Sequence, residues 1–232
     1  VFPYPAKMGR RGLDKISNYF TNVHNPGRAY FSLAGVFSED EKRELLMPDF
    51  YHAHIIDNSP EHLFSRYVDS SKNPDFQNRL LQLDLRYWNT DYTMLRMDKL
   101  TMAHSLEARV PFLDHRIVEL CLRLPRRFKT KWFEQKRLMR ETVKRERLLP
   151  DLVSNAKKKA FFFPVEKGFD HQFHGFIRDV LSEESLKNRG ILNKRYVHNL
   201  LDHPQQELLY NKQLMVLLVF ELWCKMFLDD QW

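Results

Sequence analysis

Glycine is scarce in this chain, seven in 232 residues, about half the usual share. Few glycines leave little room for tight turns or phosphate-cradling loops, and they lean the chain toward helix. Cysteine is scarcer still. Cys121 and Cys224 lie far apart with no Cys-x-x-Cys pair, which argues against a disulfide framework and a cysteine zinc site and fits a reducing, cytoplasmic setting. Long apolar runs are missing too. The longest, Leu214 to Phe220, has seven residues against the ~18–20 a bilayer span needs, so no membrane partner is expected. The opening Val1-Phe2-Pro3-Tyr4-Pro5 is not a signal peptide. It also lacks an initiator Met, from which we expect a segment of a longer chain.

What is present is ordinary globular composition, with 43% hydrophobic and 29% charged residues and a formal net charge of +7. That charge is unevenly placed. Residues 121–160 hold 14 Lys/Arg and 4 Asp/Glu, whereas the rest of the chain holds 23 and 26. One basic segment therefore sits on a nearly neutral protein. Such a segment points to phosphate in some form: nucleic acid, lipid headgroups, or a nucleotide and its pyrophosphate.

Helix punctuation is dense. Ser38 and Glu41 form a capping-box pattern opening a short helix before Pro48. Ser59-Pro60 and Asn73-Pro74 each set a capping side chain before a proline suited to a first helical turn. Phe76, Leu80, Leu81, Leu83 and Tyr87 recur at helical spacing up to Trp88. Asp114 caps a helix carrying Ile117, Val118, Cys121 and Leu122, closed by Pro125. Further helices are predicted over 134–148, very basic and ended by Pro150, and over 182–190, 193–201 and 205–228. The last is nearly apolar all round from Leu214 to Trp223, as a helix central to a core would be. Val216–Val219 also reads as a buried strand, although no turn residues flank it. There are no alternating strand pairs or repeats, so the expectation is one mostly helical region over 1–232.

The segment Asp98-Lys99-Leu100-Thr101-Met102-Ala103-His104-Ser105-Leu106-Glu107-Ala108-Arg109-Val110-Pro111-Phe112-Leu113-Asp114 carries the most information. It resembles the D-x-x-x-M-x-x-S-x-E-x-R-x-P-F-L-D motif of the synthetase domain of glutamine-dependent asparagine synthetases. Downstream features are similar in order and spacing. Lys136, Leu138 and Arg140 resemble the family's K-x-x-L-R helix, Leu149-Pro150 its L-P stop, and Ala156 to Phe161 with Pro164 its lysine loop. Leu222-Trp223 to Phe227-Leu228 resembles the closing helix.

The resemblance implies the following. The chain is the helical C-terminal portion of an α/β adenine-nucleotide-hydrolase-like synthetase domain, with most of the parallel sheet upstream. ATP, travelling with Mg2+, activates the side-chain carboxylate of aspartate as an acyl-adenylate. Ammonia from an N-terminal glutaminase domain of the same full-length chain then forms the amide. The first step needs positive charge around the phosphates, and the second needs a group that can take a proton from the attacking amine. By motif position, Lys158 handles the phosphates, as a mobile point charge suited to that work. Lys136 and Arg140, four apart, line the same region. Glu107 is either a catalytic carboxylate facing the adenylate, held by Arg109, or half of a buried ion pair bracing the turn at Pro111. Asp98 either positions substrate or caps a helix, and Asp114 is an N-cap. His52/His54 and His171/His174 are the close histidine pairs, and neither has a third ligand at a recognisable spacing, so no protein metal site is expected. A homodimer stays open.

The chain also departs from the family pattern. It contains no S-G-G-x-D-S pyrophosphate loop, no G-E/G-D-E stretch and no N-terminal nucleophilic cysteine. We expect all three upstream, and this segment by itself to be inactive. Ala156 stands where the lysine loop usually has Arg, and Ala160 and Phe162 replace its glycines. A stiffer, less cationic loop leaves open another acceptor carboxylate, such as a cell-envelope sugar or a natural-product precursor. The reading from a different class is a basic helical nucleic-acid-binding module. The basic segment alone supports it, and no helix-turn-helix or aromatic-basic motif accompanies it.

Overall fold

The computed structural model describes residues 9–70, 73–130, 136–156, 171–202 and 208–229. The described residues are mainly helical. In chain order the helices are α1 (Gly9–Thr21), α2 (Pro26–Ala34), α3 (Glu39–Leu45), α4 (Pro48–His54), α5 (Pro60–Asp69) and α6 (Phe76–Leu83). A π-helix (Asp84–Met94) joins α6 to α7 (Leu95–Met102), and a 3-10 turn (Pro111–Leu113) precedes α8 (His115–Arg123). There follow α9 (Arg126–Lys129), α10 (Arg137–Arg145), α11 (Asp151–Ser154), α12 (His171–Val180), α13 (Glu183–Arg189), α14 (Lys194–Asp202) and α15 (Leu208–Phe227). Among the described residues β-structure is limited to one isolated antiparallel bridge, Leu46 to Leu192. No described helix is long and apolar enough to cross a membrane.

The chain divides into two compact units, 1–72 with 163–232, and 73–162. The first unit holds the main core. Phe37, Leu45, Ile177, Leu181, Leu186, Val197, Leu201, Tyr210, Leu214, Leu217 and Leu218 bury their side chains together. Helix α15 supplies one wall. Its Leu214, Leu217 and Leu218 are buried, while Val216, Val219, Trp223 and Phe227 are exposed. The expectation of a helix buried all round is therefore corrected to half of its circumference, because α12, α14 and their neighbours cover one side only. Val216–Val219 belong to the helix and not to a strand. Beside that core, α2 packs on α5, with Tyr30 edge-on to Phe64. Gly27 is needed there, since a Cβ would collide with the backbone of Ser65.

Caps set the element starts. Ser38 and Glu41 make a reciprocal capping box, with Ser38 Oγ accepting from Glu41 N and Glu41 accepting from Ser38 N at 2.8 Å. Ser59 caps α5 by accepting from His62 N, with Pro60 in the first turn. Ser182 caps α13, whose end is closed by Gly190 at φ 68°. At α6 the cap is Asp75, which accepts from Asn78 N at 2.8 Å, and not Asn73. Asn73 instead accepts from Asp75 N, two residues on, as an Asx turn leading into the helix.

In the second unit the expected helix ending at Trp88 runs on through the π segment to Met102. Thr90 Oγ1 donates to Leu85 O at 2.8 Å, five residues back, the same step that π-turn amides take. Arg96 lies over the Tyr92 ring and donates to its hydroxyl at 2.8 Å, clamping the π-to-α junction. The basic helix expected over 134–148 is observed as Arg137–Arg145, while Glu134 and Gln135 lie outside the described residues. Arg147, at φ 50°, turns the chain before Pro150 is reached. Helices α1, α2, α4, α9, α11 and α12 had no counterpart in the sequence reading.

Candidate functional site

The motif residues all belong to the second unit, and a local reason places each of them. Asp98 lies in the first turn of α7, exposed. Because the π segment runs into α7 without a break, no free amide row exists there for Asp98 to cap, and the capping alternative is removed. Helix α7 closes with Ser105 in the left-handed region at φ 57° and with Leu106 N donating to Thr101 O at 3.0 Å. This six-to-one bond ends the helix and frees the backbone to extend.

Beyond that turn the chain has no regular secondary structure, and Glu107 and Arg109, two apart, meet side by side. Arg109 Nη2 lies 2.9 Å from Glu107 Oε1, with side chains 81% and 68% exposed respectively. The pair expected from the sequence is present, but it stands in solvent. In this state an exposed pair contributes little to stability. Pro111 then opens a single 3-10 turn, and Asp114 caps α8 by accepting from Arg116 N at 2.9 Å. The Arg116 guanidinium bonds both carboxylate oxygens of Asp114, and these contacts hold the carboxyl below its ordinary range. Asp114 is fully engaged as a cap, as its sequence position implied.

Lys136 sits at the start of α10 with φ 56°, exposed, and its carbonyl accepts from Arg140 N at 3.0 Å. Arg140 is one turn further on, half-buried. Its Nη1 donates to Ala156 O at 3.0 Å, which fastens α10 to the residue just before Lys157, Lys158 and Lys159. Those three lysines, with Phe161 and Pro164, lie outside the described residues. Among the described residues no hydrogen bond or ion pair joins Glu107 or Arg109 to Lys136 or Arg140. No group of three or more His, Cys, Asp or Glu could hold a metal ion there either.

Two supports of this arrangement were missed in the sequence. Arg137 pairs with Glu141 at 2.6 Å and donates to Arg127 O at 3.0 Å, tying α10 to α9. Asn78, buried in α6, donates to Leu122 O at 3.1 Å and accepts from Lys129 Nζ, so α6, α8 and α9 meet at one amide. Burial pushes the Lys129 ammonium down, opposed by the nearby Asp75 carboxylate. The available signal was a single Asn within the helix whose Phe76, Leu80, Leu81 and Leu83 recur at helical spacing.

The candidate residues thus lie on an exposed Glu/Arg pair after a long helix, near a capped turn at Pro111, and on a basic helix tied to Ala156, the residue before the lysine run. The chain belongs to the asparagine synthase family, whose profile matches residues 5–225. Among curated proteins, the chain is 28% identical over 216 residues to asparagine synthetase (glutamine-hydrolyzing) 1 of Bacillus subtilis strain 168, covering 93% of this chain and 32% of that protein. A putative asparagine synthetase (glutamine-hydrolyzing) of Mycobacterium bovis is 27% identical over 249 residues, covering 98% and 36%. The Mesocricetus auratus asparagine synthetase (glutamine-hydrolyzing) is 44% identical over a shorter 71 residues, 30% of this chain and 13% of that protein. The chain thus spans about a third of the first two relatives' length. No solved structure matches.

Proposed function

We propose that this chain is the helical, downstream part of the synthetase domain of an ATP-dependent amide ligase of the glutamine-hydrolysing asparagine synthetase type. The observation that carries the reading is the unbroken Asp98–Asp114 motif inside a family match over residues 5–225. A carboxylate oxygen of the aspartate side chain attacks the α-phosphorus of ATP, giving an acyl-adenylate and releasing pyrophosphate. Ammonia from a glutaminase domain elsewhere in the full-length protein attacks the acyl carbon, loses a proton, and expels AMP. The reading includes a cytoplasmic setting, supported by two free cysteines.

The roles follow from charge and placement. Lys158 stabilises charge growing on the phosphates, and Lys136 and Arg140 support it from α10. The donor set fits a polyphosphate: Lys136 is exposed, and Arg140 keeps guanidinium N–H groups beyond the one given to Ala156. Mg2+ arrives with ATP, a partnership that requires few protein ligands. Glu107 accepts the proton from the attacking amine, and Arg109 orients it; the exposure of both side chains supports a ligand-facing role. Asp98, a turn from the end of α7, positions the substrate.

In the full-length protein, Lys158→Ala is expected to lower pyrophosphate release by on the order of 10²–10³-fold, the usual loss when a charge-stabilising donor is removed. Glutamine hydrolysis, measured in parallel, stays at the parent rate. Equal loss of both activities would sink the assignment of Lys158.

A second reading keeps the chemistry and changes the acceptor. Ala156, Ala160 and Phe162 alter the lysine loop. The chain is also 27% identical over 122 residues, half its length, to a Gibberella zeae protein named amidase chry2. ATP–pyrophosphate exchange against a panel of carboxylic acids separates the two, with stimulation by aspartate alone favouring the first.

A further inference from the structure

The first unit carries a cleft of about 330 Å3, lined by Arg43, Glu44, Leu46 and Pro48 on one side and by Asn193 and Arg195 on the other. It holds none of the motif residues. We propose that this cleft is a binding site for a dicarboxylic α-amino acid.

Its walls are pinned. Met47 N donates to Ile191 O at 2.8 Å and Asn193 N to Leu45 O at 2.7 Å, on either side of the Leu46–Leu192 bridge. The Asn193 side chain completes the seam: Nδ2 donates to Glu44 O at 3.1 Å, and Oδ1 accepts from Arg195 N at 3.1 Å. Asn193 is therefore spent on holding the wall that carries Arg195. Arg43 is aimed in the same manner, since its Nε donates at 3.3 Å to the hydroxyl of Tyr51, a buried residue. Its Nη1 is 3.6 Å from Asp40, itself fully in solvent. That contact leaves most of the guanidinium fork unspent.

The charges set the ligand class. Among the described residues no carboxylate pairs with Arg195 and no cation pairs with Glu44. The cleft thus presents two guanidinium groups and one carboxylate on a fixed frame. A guanidinium prefers the paired oxygens of a carboxylate, and the Glu44 carboxylate prefers an ammonium. A molecule with two carboxylates and one ammonium satisfies all three. A simple dicarboxylate leaves Glu44 facing a like charge, and a neutral-side-chain amino acid leaves one guanidinium without a ligand carboxylate. The volume lies at the small end of ligand sites, enough for such a molecule and a few bridging waters.

The test is calorimetric titration of the full-length protein with L-glutamate and with glutarate, the same chain without the ammonium. Beside any L-glutamate binding by the glutaminase domain, the parent is expected to show an L-glutamate site that weakens at least tenfold in Arg195→Gln, with the melting temperature unchanged because Arg195 is exposed. Glu44→Gln weakens L-glutamate by a similar factor and strengthens glutarate, a gain that misfolding cannot produce. Absence of L-glutamate binding, or binding that is equal in the parent and both variants, would overturn the proposal.

Discussion

The two units of this protein are built by different means. In the first, sequence-distant helices close over a core in which Leu214 and Val197 are fully buried, and even the charges are internal. Glu221, 0% exposed, accepts from Ser185 and is bonded twice by Arg189, which also reaches Asp229. In the second, the side chains that would make a core stand outside: Leu95, Leu100, Met102, Leu106 and Phe112 are all exposed. Its shape rests on local devices, the Asp75 and Asp114 caps and the left-handed turns at Ser105 and Arg147, together with one longer-range link, the Asn78–Lys129 node. The unit with the large core lacks the motif, and among the described residues the unit with the motif buries only Leu83, Asn78 and Ser154. A run of exposed apolar residues on that scale marks a surface made to be covered.

The largest expected effect comes from the internal charges. Arg189→Met leaves Glu221 buried without its cation, and the first unit should lose about 3–5 kcal/mol in chemical denaturation. The matching Arg109→Met, in the exposed pair, should leave the midpoint where it was. Equal losses would erase the contrast between the units. Next, Leu214→Ala should cost about 2–5 kcal/mol by opening a cavity. Leu152→Ala, at a side chain 87% exposed, should stay within about 0.5 kcal/mol. Light scattering addresses the uncovered surface: the chain expressed by itself should self-associate, and Leu106→Ser with Phe112→Ser should reduce that association. If the double variant associates as strongly as the parent, the motif surface is not the sticky one.

A last contrast is a pH dependence in the first unit. Lys15 donates to Gly35 O, and burial together with the nearby Lys212 charge lowers its pKa to about 8, against the pull of Glu41. The folded state therefore holds this proton less tightly than the unfolded chain. Its contribution makes stability rise as the pH climbs from about 8 toward the ordinary lysine value of 10.5. Melting temperatures across that window should show the rise in the parent and lose it in Lys15→Met.

Much of the local structure could be read from the residues. Ser38 with Glu41, Ser59 with Pro60, Ser182, Gly190 and Asp114 act where their side-chain chemistry requires, because a cap is decided within four residues. Asn73 was displaced by Asp75, two positions along, a distance at which Asx chemistry serves either role. The continuation from Trp88 to Met102 escaped notice because a π segment breaks the 3.6-residue period on which that reading depends. For the site, the Glu107–Arg109 pairing was foreseen and its exposure was not. Pairing follows from spacing, whereas exposure depends on which helices come to lie above it.

The sequence by itself determined the family, the order of the motif residues, the caps and the single basic segment. All of these are properties of neighbours along the chain. Only the tertiary structure decided that α15 shows one apolar face to solvent, that Arg189 and Glu221 meet inside, and that Arg43 and Arg195 face one cleft. Each of those unites residues tens to more than a hundred positions apart. Burial and charge pairing act through space, and no local pattern records what the distant partner will be.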